Sequence, residues 1–253
     1  MPEYILARDQ FQRIEHLLPG REGSPGGTAK DNYLFLNAIL YILKNGTPWR
    51  QLPEEYGYWK NVHKRFSRWC KSGVFNIILE ALAKEKDKRA QMLLLDSSVV
   101  RAHQHAAGAS SPVGDEALGR SRGGFSTKIH ASVDENGCPH KLFLSGGQVH
   151  DSQYASNLLQ DSAASYVLAD KAYASDKIVQ QIKNMGSTAV IPPHQSSKTA
   201  RPYDRGLYKR RNVIERFFNR MKQYRGVSTR YSKRAANFLG CVQLVSIMIT
   251  LAI

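Results

Sequence analysis

Three acidic residues sit where their surroundings give them chemical meaning. Asp96 follows the apolar run Met92-Leu-Leu-Leu95, and Asp170 follows Tyr166-Val-Leu-Ala169. Runs of this kind read as buried strands. In an open α/β sheet, ligands collect at the carboxyl ends of the strands. An acid in that place also serves as a strand-end or turn residue, so neither aspartate is decisive alone. The third acid, Glu215, lies in a basic helical segment expected to run from about residue 206 to 224. Tyr208, Arg211, Glu215 and Lys222 are offset by three, seven and fourteen positions. At roughly 100° per residue they fall within an arc of about 60°. Val213, Ile214, Phe217, Phe218 and Met221 fill an adjoining apolar face. A glutamate four residues after an arginine also makes an ordinary helical ion pair. The wider segment argues for more, because residues 205–234 hold eleven Lys or Arg and one Glu. That density suits a polyphosphate backbone.

Carboxylates converging in a basic groove suit phosphodiester chemistry. Cleavage needs an activated water or hydroxyl and a stabilised leaving oxygen. Two divalent ions about 3.5–4 Å apart do both, and carboxylate oxygens are the ligands that Mg²⁺ and Mn²⁺ prefer. Other constellations are weaker. His103-x-His105, His130 and His150-Asp151 suggest a histidine-rich metal site but offer no third ligand at a persuasive spacing. His150-Asp151 reads better as a helix start with Asp151 as its cap. Asp134 is an alternative second acid, but it adjoins Asn136-Gly137 and reads as a turn residue. Residues 119–128 lack the Walker spacing of a phosphate loop. With Arg120, Arg122 and Lys128, they fit an Arg/Gly loop that grips DNA.

These residues need a frame. The 253-residue chain carries 42% hydrophobic residues, enough for a sizeable core. Its 36 Lys+Arg against 21 Asp+Glu give a net charge of +15, which points to nucleic acid or an acidic surface as partner. Cys70, Cys138 and Cys241 are widely spaced and suggest neither a zinc knuckle nor a disulfide framework, so a cytoplasmic setting is expected. No signal peptide is evident at the start. Residues 235–253 lack charge, but Asn237, Gln243, Ser246 and Thr250 favour a buried core helix over a membrane span.

Residues 1–88 read as an all-helical domain. Phe11, Ile14, Leu17 and Leu18 mark a first helix that Asp9 can cap; a second spans residues 31–44 and stops at Asn45-Gly46. Trp59, Val62, Phe66 and Trp69 form one stripe of an amphipathic helix. Lys60, Lys64, Arg65 and Arg68 lie largely outside that stripe and are candidates for groove contact. A further helix covers residues 74–82. The charged stretch 84–89 marks a boundary, and residues 89–253 read as a mixed α/β domain. Within it, residues 103–124 lack periodicity and are expected to be a mobile loop. Residues 125–134 and 138–144 flank a Glu135-Asn136-Gly137 hairpin turn.

The chain resembles the DDE transposases of bacterial insertion sequences, in the IS-five group, over nearly its whole length. In the first third the likeness rests on Gly46-Thr-Pro-Trp-Arg-Gln-Leu-Pro53 and the Tyr56-Gly57-x-Trp59 to Trp69 block. In the middle it rests on Leu95-Asp-Ser-Ser98, Ala102-His103, Gly119-Arg-Ser-Arg-Gly-Gly-Phe-Ser-Thr-Lys-Ile-His130 and Gly147-Gln-Val-His-Asp151. It ends with Asp170-Lys-Ala-Tyr173, Ile191-Pro-Pro193 and the ungapped Tyr-x2-Arg-x3-Glu-x6-Lys pattern at Tyr208, Arg211, Glu215 and Lys222. Ala172 stands where that family more often has Gly.

The resemblance implies a ribonuclease H-like mixed-sheet catalytic core behind an N-terminal, helix-turn-helix-like DNA-binding region. It implies Asp96, Asp170 and Glu215 as the catalytic, metal-binding acids, with two Mg²⁺ per site and Mn²⁺ as a substitute. Tyr208, Arg211 and Lys222 are then expected at DNA near the cut. The expected partners are terminal inverted repeats and target DNA, bound as a homodimer or higher oligomer. A non-catalytic DNA-binding relative and a plain nuclease of similar fold are the competing classes.

Overall fold

The computed structural model describes residues 5–21, 31–86, 90–106, 116–121, 123–194 and 201–253. The chain opens with four helices, α1 (Arg8–Glu15), α2 (Asn32–Asn45), α3 (Trp59–Lys71) and α4 (Val74–Lys86). Local signals fix their ends. The Asp31 side chain caps α2 by accepting from the Leu34 N–H at 2.8 Å. Gly46 closes it at φ +68°, donating its N–H to the Ile42 carbonyl at 2.8 Å. A residue without a Cβ takes that left-handed conformation at least cost. At α1 the cap is Ala7 rather than Asp9, which lies in the first turn. Its charge there still complements the helix dipole.

The sheet comprises β1 (Met92–Ala102), β2 (Gly119–Ser121), β3 (Gly124–Asp134), β4 (Pro139–Gly146), β5 (Tyr166–Leu168), β6 (Thr188–Val190) and β7 (Thr229–Arg230). β1 is central. On one side β3 runs antiparallel to it and β4 antiparallel to β3; on the other, β5 and then β6 run parallel. This is the ribonuclease H-like arrangement, a three-strand antiparallel meander continued by parallel strands. The expected hairpin joins β3 to β4. Its Asp134 side chain accepts from the Asn136 and Cys138 N–H groups at 2.8 and 2.9 Å, which fixes it as a turn residue.

Three expectations change. β1 does not stop at Asp96 but continues to Ala102, because β3 pairs with it as far as Arg101. Within the expected loop 103–124, Gly119–Ser121 is a strand paired with β3, while residues 107–115 and 122 lie outside the described residues. The long basic helix is three pieces: α7 (Arg205–Tyr208), a 3₁₀ turn over Lys209–Arg211, and α8 (Asn212–Lys222).

The strand period of two sorts the core between the two sheet faces. Leu93, Leu95, Val167 and Ala169 pack under α5 (Ala155–Leu159) and α6 (Asp176–Asn184). Met92, Leu94 and Leu168 pack on the opposite face with Ile214, Phe217, Phe218 and Met221 of α8. The same buried cluster runs through α10 (Ala235–Leu251) into α2, α3 and α4. α10 is apolar on all sides and buried on all sides, as its composition implies. A Cβ on its Gly240 would meet the Cys70 sulfur of α3 at 2.3 Å, so the glycine permits this close packing. Among the described residues, no helix is long and apolar enough to cross a membrane. The expected boundary after residue 88 falls within 87–89, outside the described residues.

Candidate active site

The two aspartates are brought together by strand register. β1 and β5 pair in parallel with Leu94 opposite Leu168. Asp96 and Asp170 each lie two positions further along, so they emerge side by side on the face that α8 covers. β5 ends at Leu168 while β1 continues, which opens a notch beside Asp96. The acid can occupy mid-strand because that neighbour stops. Asp170 accepts the Ala172 N–H at 2.8 Å and so caps a short 3₁₀ turn, Lys171–Tyr173. Asp96 accepts the Ser97 N–H at 2.8 Å. Burial, opposed by that bond and by Arg211 and reinforced by the Asp170 charge, raises the Asp96 pKa above the ordinary carboxylate value.

α8 lies over this notch. Arg211 holds the Asp96 carboxylate at 2.8 Å with one guanidinium nitrogen, and Glu215 with the other. Despite burial, the Asp96 and Glu215 charges raise the Arg211 pKa. The 3₁₀ turn before α8 leaves the predicted face intact, because residues three apart eclipse in that geometry. Tyr208 accordingly stacks near Arg211, with the guanidinium carbon 6.0 Å from its ring centroid. Tyr203 meets Tyr208 edge to face at 5.5 Å. Lys222 is exposed in the last turn of α8. Arg216 and Arg220 line a small cleft with Asn136 and Gly137, on another side of the helix.

Asp96, Asp170 and Glu215 supply hard oxygen donors, which fits a divalent cation in type. Two of them, Asp96 and Glu215, are held by the Arg211 guanidinium. Among the described residues, no three His, Cys, Asp or Glu side chains stand close enough together to hold a metal ion. His103 and His105 face each other at 4.5 Å, with no third ligand among the described residues.

Several expected DNA contacts are committed elsewhere. Lys128 is bound to Asp151 and to the Val149 carbonyl, both at 2.7 Å, and is largely buried. Arg65 stacks on Phe35 and Trp69, at 4.1 and 4.9 Å, and bonds to Asn32. Burial lowers its pKa. Arg230, counted within the basic segment, is fully buried; it donates to the Thr127 hydroxyl at 2.6 Å and to the Ala117 and Ser232 carbonyls. Lys60, Lys64, Arg68 and Arg120 remain exposed. Arg122 lies outside the described residues.

The sequence weighs His130 only as part of a histidine-rich metal site; in the fold it belongs to a second polar group. His130 stacks on Tyr154 at 4.2 Å and shares a 2.8 Å hydrogen bond with Ser145. Burial lowers its pKa to about 4. His150, not Asp151, caps the following turn. Tyr173 is fully buried, and its hydroxyl has no hydrogen-bond partner among the described residues. Tyr173 stands out in the sequence only as part of the quoted Asp170-Lys-Ala-Tyr173 motif.

Both regions of the chain are similar to known transposases. Residues 6–79 match the family described as "Putative transposase of IS4/5 family", and residues 87–251 match "Transposase DDE domain". A "Putative transposase for insertion sequence element IS6501" from Brucella ovis is 37% identical over 129 residues, covering 50% of this chain and 99% of its own. "Uncharacterized protein y4sN" from Sinorhizobium fredii is 43% identical over 104 residues, covering 41% and 82%. The crystal structure of a pre-cleavage Mos1 transpososome aligns over 96% of this chain and 84% of that one, but at 12% identity and a TM-score of 0.28 it is too remote to carry weight. With both regions of the chain matched, it belongs to the IS4/5 family of insertion-sequence transposases with a DDE domain.

Proposed function

We propose that this chain cuts the DNA phosphodiester at transposon ends and joins the freed strand to target DNA, with Asp96, Asp170 and Glu215 as the catalytic acids. The observation that carries this reading is the in-register Asp96 and Asp170 pair, facing a helix whose Arg211 ties Asp96 to Glu215.

The residues divide the work. Asp96 and Asp170 present carboxylate oxygens at one notch, and Glu215 adds a third from α8. Together they would hold Mg²⁺, with Mn²⁺ as a substitute, as two ions per site. When bound, the cations supply Lewis-acid activation of the attacking oxygen and stabilise the leaving oxygen. Arg211, Tyr208 and Lys222 would meet the phosphates beside the scissile bond. There a guanidinium gives two parallel hydrogen bonds and fixes orientation as well as charge. Lys60, Lys64 and Arg68 on α3, with Arg120, would hold flanking duplex. The reaction would take place on double-stranded DNA in a bacterial cytoplasm, by a homodimer or higher oligomer.

The test is a cleavage and strand-joining assay on end DNA with Mg²⁺. Wild type should nick and join, and Asp96→Asn should do neither while still binding DNA. Cleavage that survives full chelation, or that proceeds normally in Asp96→Asn, overturns the assignment. Cleavage without joining would instead place the chain among nucleases.

A further inference from the structure

The head of α3 carries a surface to which the chemistry above gives no task. Trp59, Val62, Phe66 and Trp69 share one apolar stripe, but only the last three are buried. Trp59 stays partly open. Tyr58, just before it, is 57% exposed, more than any other large hydrophobic side chain among the described residues. The two rings lie 6.2 Å apart. The Lys60 ammonium stands 5.8 Å from the Tyr58 ring centre and 5.7 Å from that of Trp59. The Arg50 guanidinium is 5.9 Å from the Trp59 ring.

Local structure holds this patch in place. Trp49 begins the 3₁₀ turn that carries Arg50, and it stacks against His63 and Phe66 of α3 at 5.0 and 5.6 Å. The Tyr58 carbonyl accepts the Asn61 and Val62 N–H groups at 3.0 and 3.3 Å, so its backbone belongs to the first turn of α3. Gly57 leads in with φ +93° and ψ 176°, a conformation open essentially to glycine alone. A Cβ there would meet nothing within 4 Å, so that side of the patch is clear.

A single exposed apolar side chain is ordinary on a protein surface. Two adjoining rings flanked by cations are a more specific combination. Proteins that hold unpaired nucleic acid stack its bases on aromatic rings beside a positively charged backbone track. In intact duplex each base already stacks on its neighbours, whereas an unpaired base has a free face. The track is present here. Lys60, Lys64 and Arg68 are exposed and recur every four residues, about 6 Å apart along the helix axis. On the other side of Gly57 lie exposed Glu54 and Glu55, which repel phosphates and so direct the backbone along α3.

Resting on the reading that this chain acts on DNA, we propose that Tyr58 and Trp59 receive an unpaired base where a DNA duplex opens into single strand. Lys60, Lys64 and Arg68 hold the backbone of the adjoining duplex. The head of α3 is then a site for a duplex–single-strand junction, beyond the duplex contact assigned to its cations above.

The test uses the full chain in chelator, where no cleavage intervenes, with two labelled DNAs of equal paired length. One is blunt and the other carries a short single-stranded overhang. Wild type should bind the overhang DNA roughly tenfold more tightly, the scale of one base–aromatic stack. Tyr58→Ala should lose most of that preference, with blunt-duplex binding and unfolding temperature near wild type. Tyr58→Phe, which keeps the ring, should retain it. A fluorescent base analogue placed first in the overhang should be quenched on binding to wild type and recover in Tyr58→Ala. The inference is overturned if wild type shows no overhang preference, or if Tyr58→Ala keeps it or weakens both DNAs alike. Loss of the preference in Tyr58→Phe overturns it too, because the ring would not be the binding element. Asp96→Asn should prefer the overhang as wild type does. If it does so and yet cleaves normally in Mg²⁺, the catalytic assignment fails and this site stands. If wild type cuts and joins without preferring the overhang, only this inference fails.

Discussion

Arg211 donates to Asp96 at 2.8 Å and at the same time to Glu215, so one guanidinium stands between two of the three acids. A divalent cation would use the same oxygens. Arg211 therefore acts as a resident cation, and the phosphate of incoming DNA is the natural competitor for it. Under the proposed function, DNA binding and metal binding would be linked through this one side chain.

Arg211→Ala should raise the Mn²⁺ affinity of the DNA-free protein. Hydrogen bonds to charged groups contribute roughly 1.5–3 kcal/mol, so freeing two carboxylates should give about a tenfold gain. The same variant should cut DNA poorly, because a phosphate contact is lost. Calorimetric titration with and without end DNA checks both. Weaker Mn²⁺ binding in the variant would show that Arg211 orients the acids rather than competing for them.

Asp96→Asn should be at least as stable as wild type, although inactive. Burial already disfavours the charged form of Asp96 and raises its pKa. Removing the charge relieves that cost, partly offset by the lost pairing with Arg211. Chemical denaturation at neutral pH reads the outcome. A destabilisation of several kcal/mol would instead mean that the Arg211 pairing outweighs desolvation.

On α3, four of the five Lys and Arg side chains should separate into two behaviours. Lys60, Lys64 and Arg68 are exposed, so each alanine variant should lower the salt slope of DNA binding by roughly one and leave stability unchanged. Arg65 is stacked on Phe35 and Trp69, so Arg65→Ala should cost about 1–2 kcal/mol of stability. Salt-dependent binding isotherms and unfolding curves on the same four proteins decide it. Equal effects on binding with no stability difference would count against the stacked Arg65.

His130 should set an acid limit on the fold. Its pKa is lowered to about 4 in the folded chain, whereas an unfolded histidine titrates near ~6.5. Above that pH it is neutral in both states and costs nothing. As the pH falls through this window, the unfolded chain gains a proton that the folded chain refuses, so stability is lost. The full shift corresponds to about 3 kcal/mol. His130→Gln should flatten the decline in stability between pH 6.5 and 4, as measured by urea unfolding at several pH values in that window. An unchanged decline would place the acid sensitivity elsewhere.

On α8, Lys222→Ala should weaken DNA binding with little dependence on sequence, while Arg216→Ala and Arg220→Ala should leave cleavage near normal. Arg216 and Arg220 line a cleft beside the β3–β4 turn, away from Asp96. A scan in which those two were critical and Lys222 dispensable would mean that DNA crosses the opposite side of the helix.

The sequence by itself determined most of the elements and much of the face that α8 presents. Short-range physics suffices there. Asp31 and Gly46 end α2 through their own side-chain and backbone preferences, and Asn136-Gly137 closes the hairpin in the same way. Residues at offsets of three and seven share a helix face whether the turn between them is α or 3₁₀, so Tyr208, Arg211 and Glu215 align despite the break at Lys209–Arg211. Only the tertiary structure decided which cations are free. Lys128, Arg65 and Arg230 look like Lys64 or Arg68 in a string of letters, but Asp151, Phe35 and Thr127 reach them from distant positions. The course of β1 was also a matter of neighbours. An aspartate after an apolar run reads as a stop, yet pairing with β3 carries the strand on, and the early end of β5 gives Asp96 the notch in which a carboxylate can sit. The Tyr173 hydroxyl, without a hydrogen-bond partner among the described residues, belongs to the same class, because only its surroundings decide that.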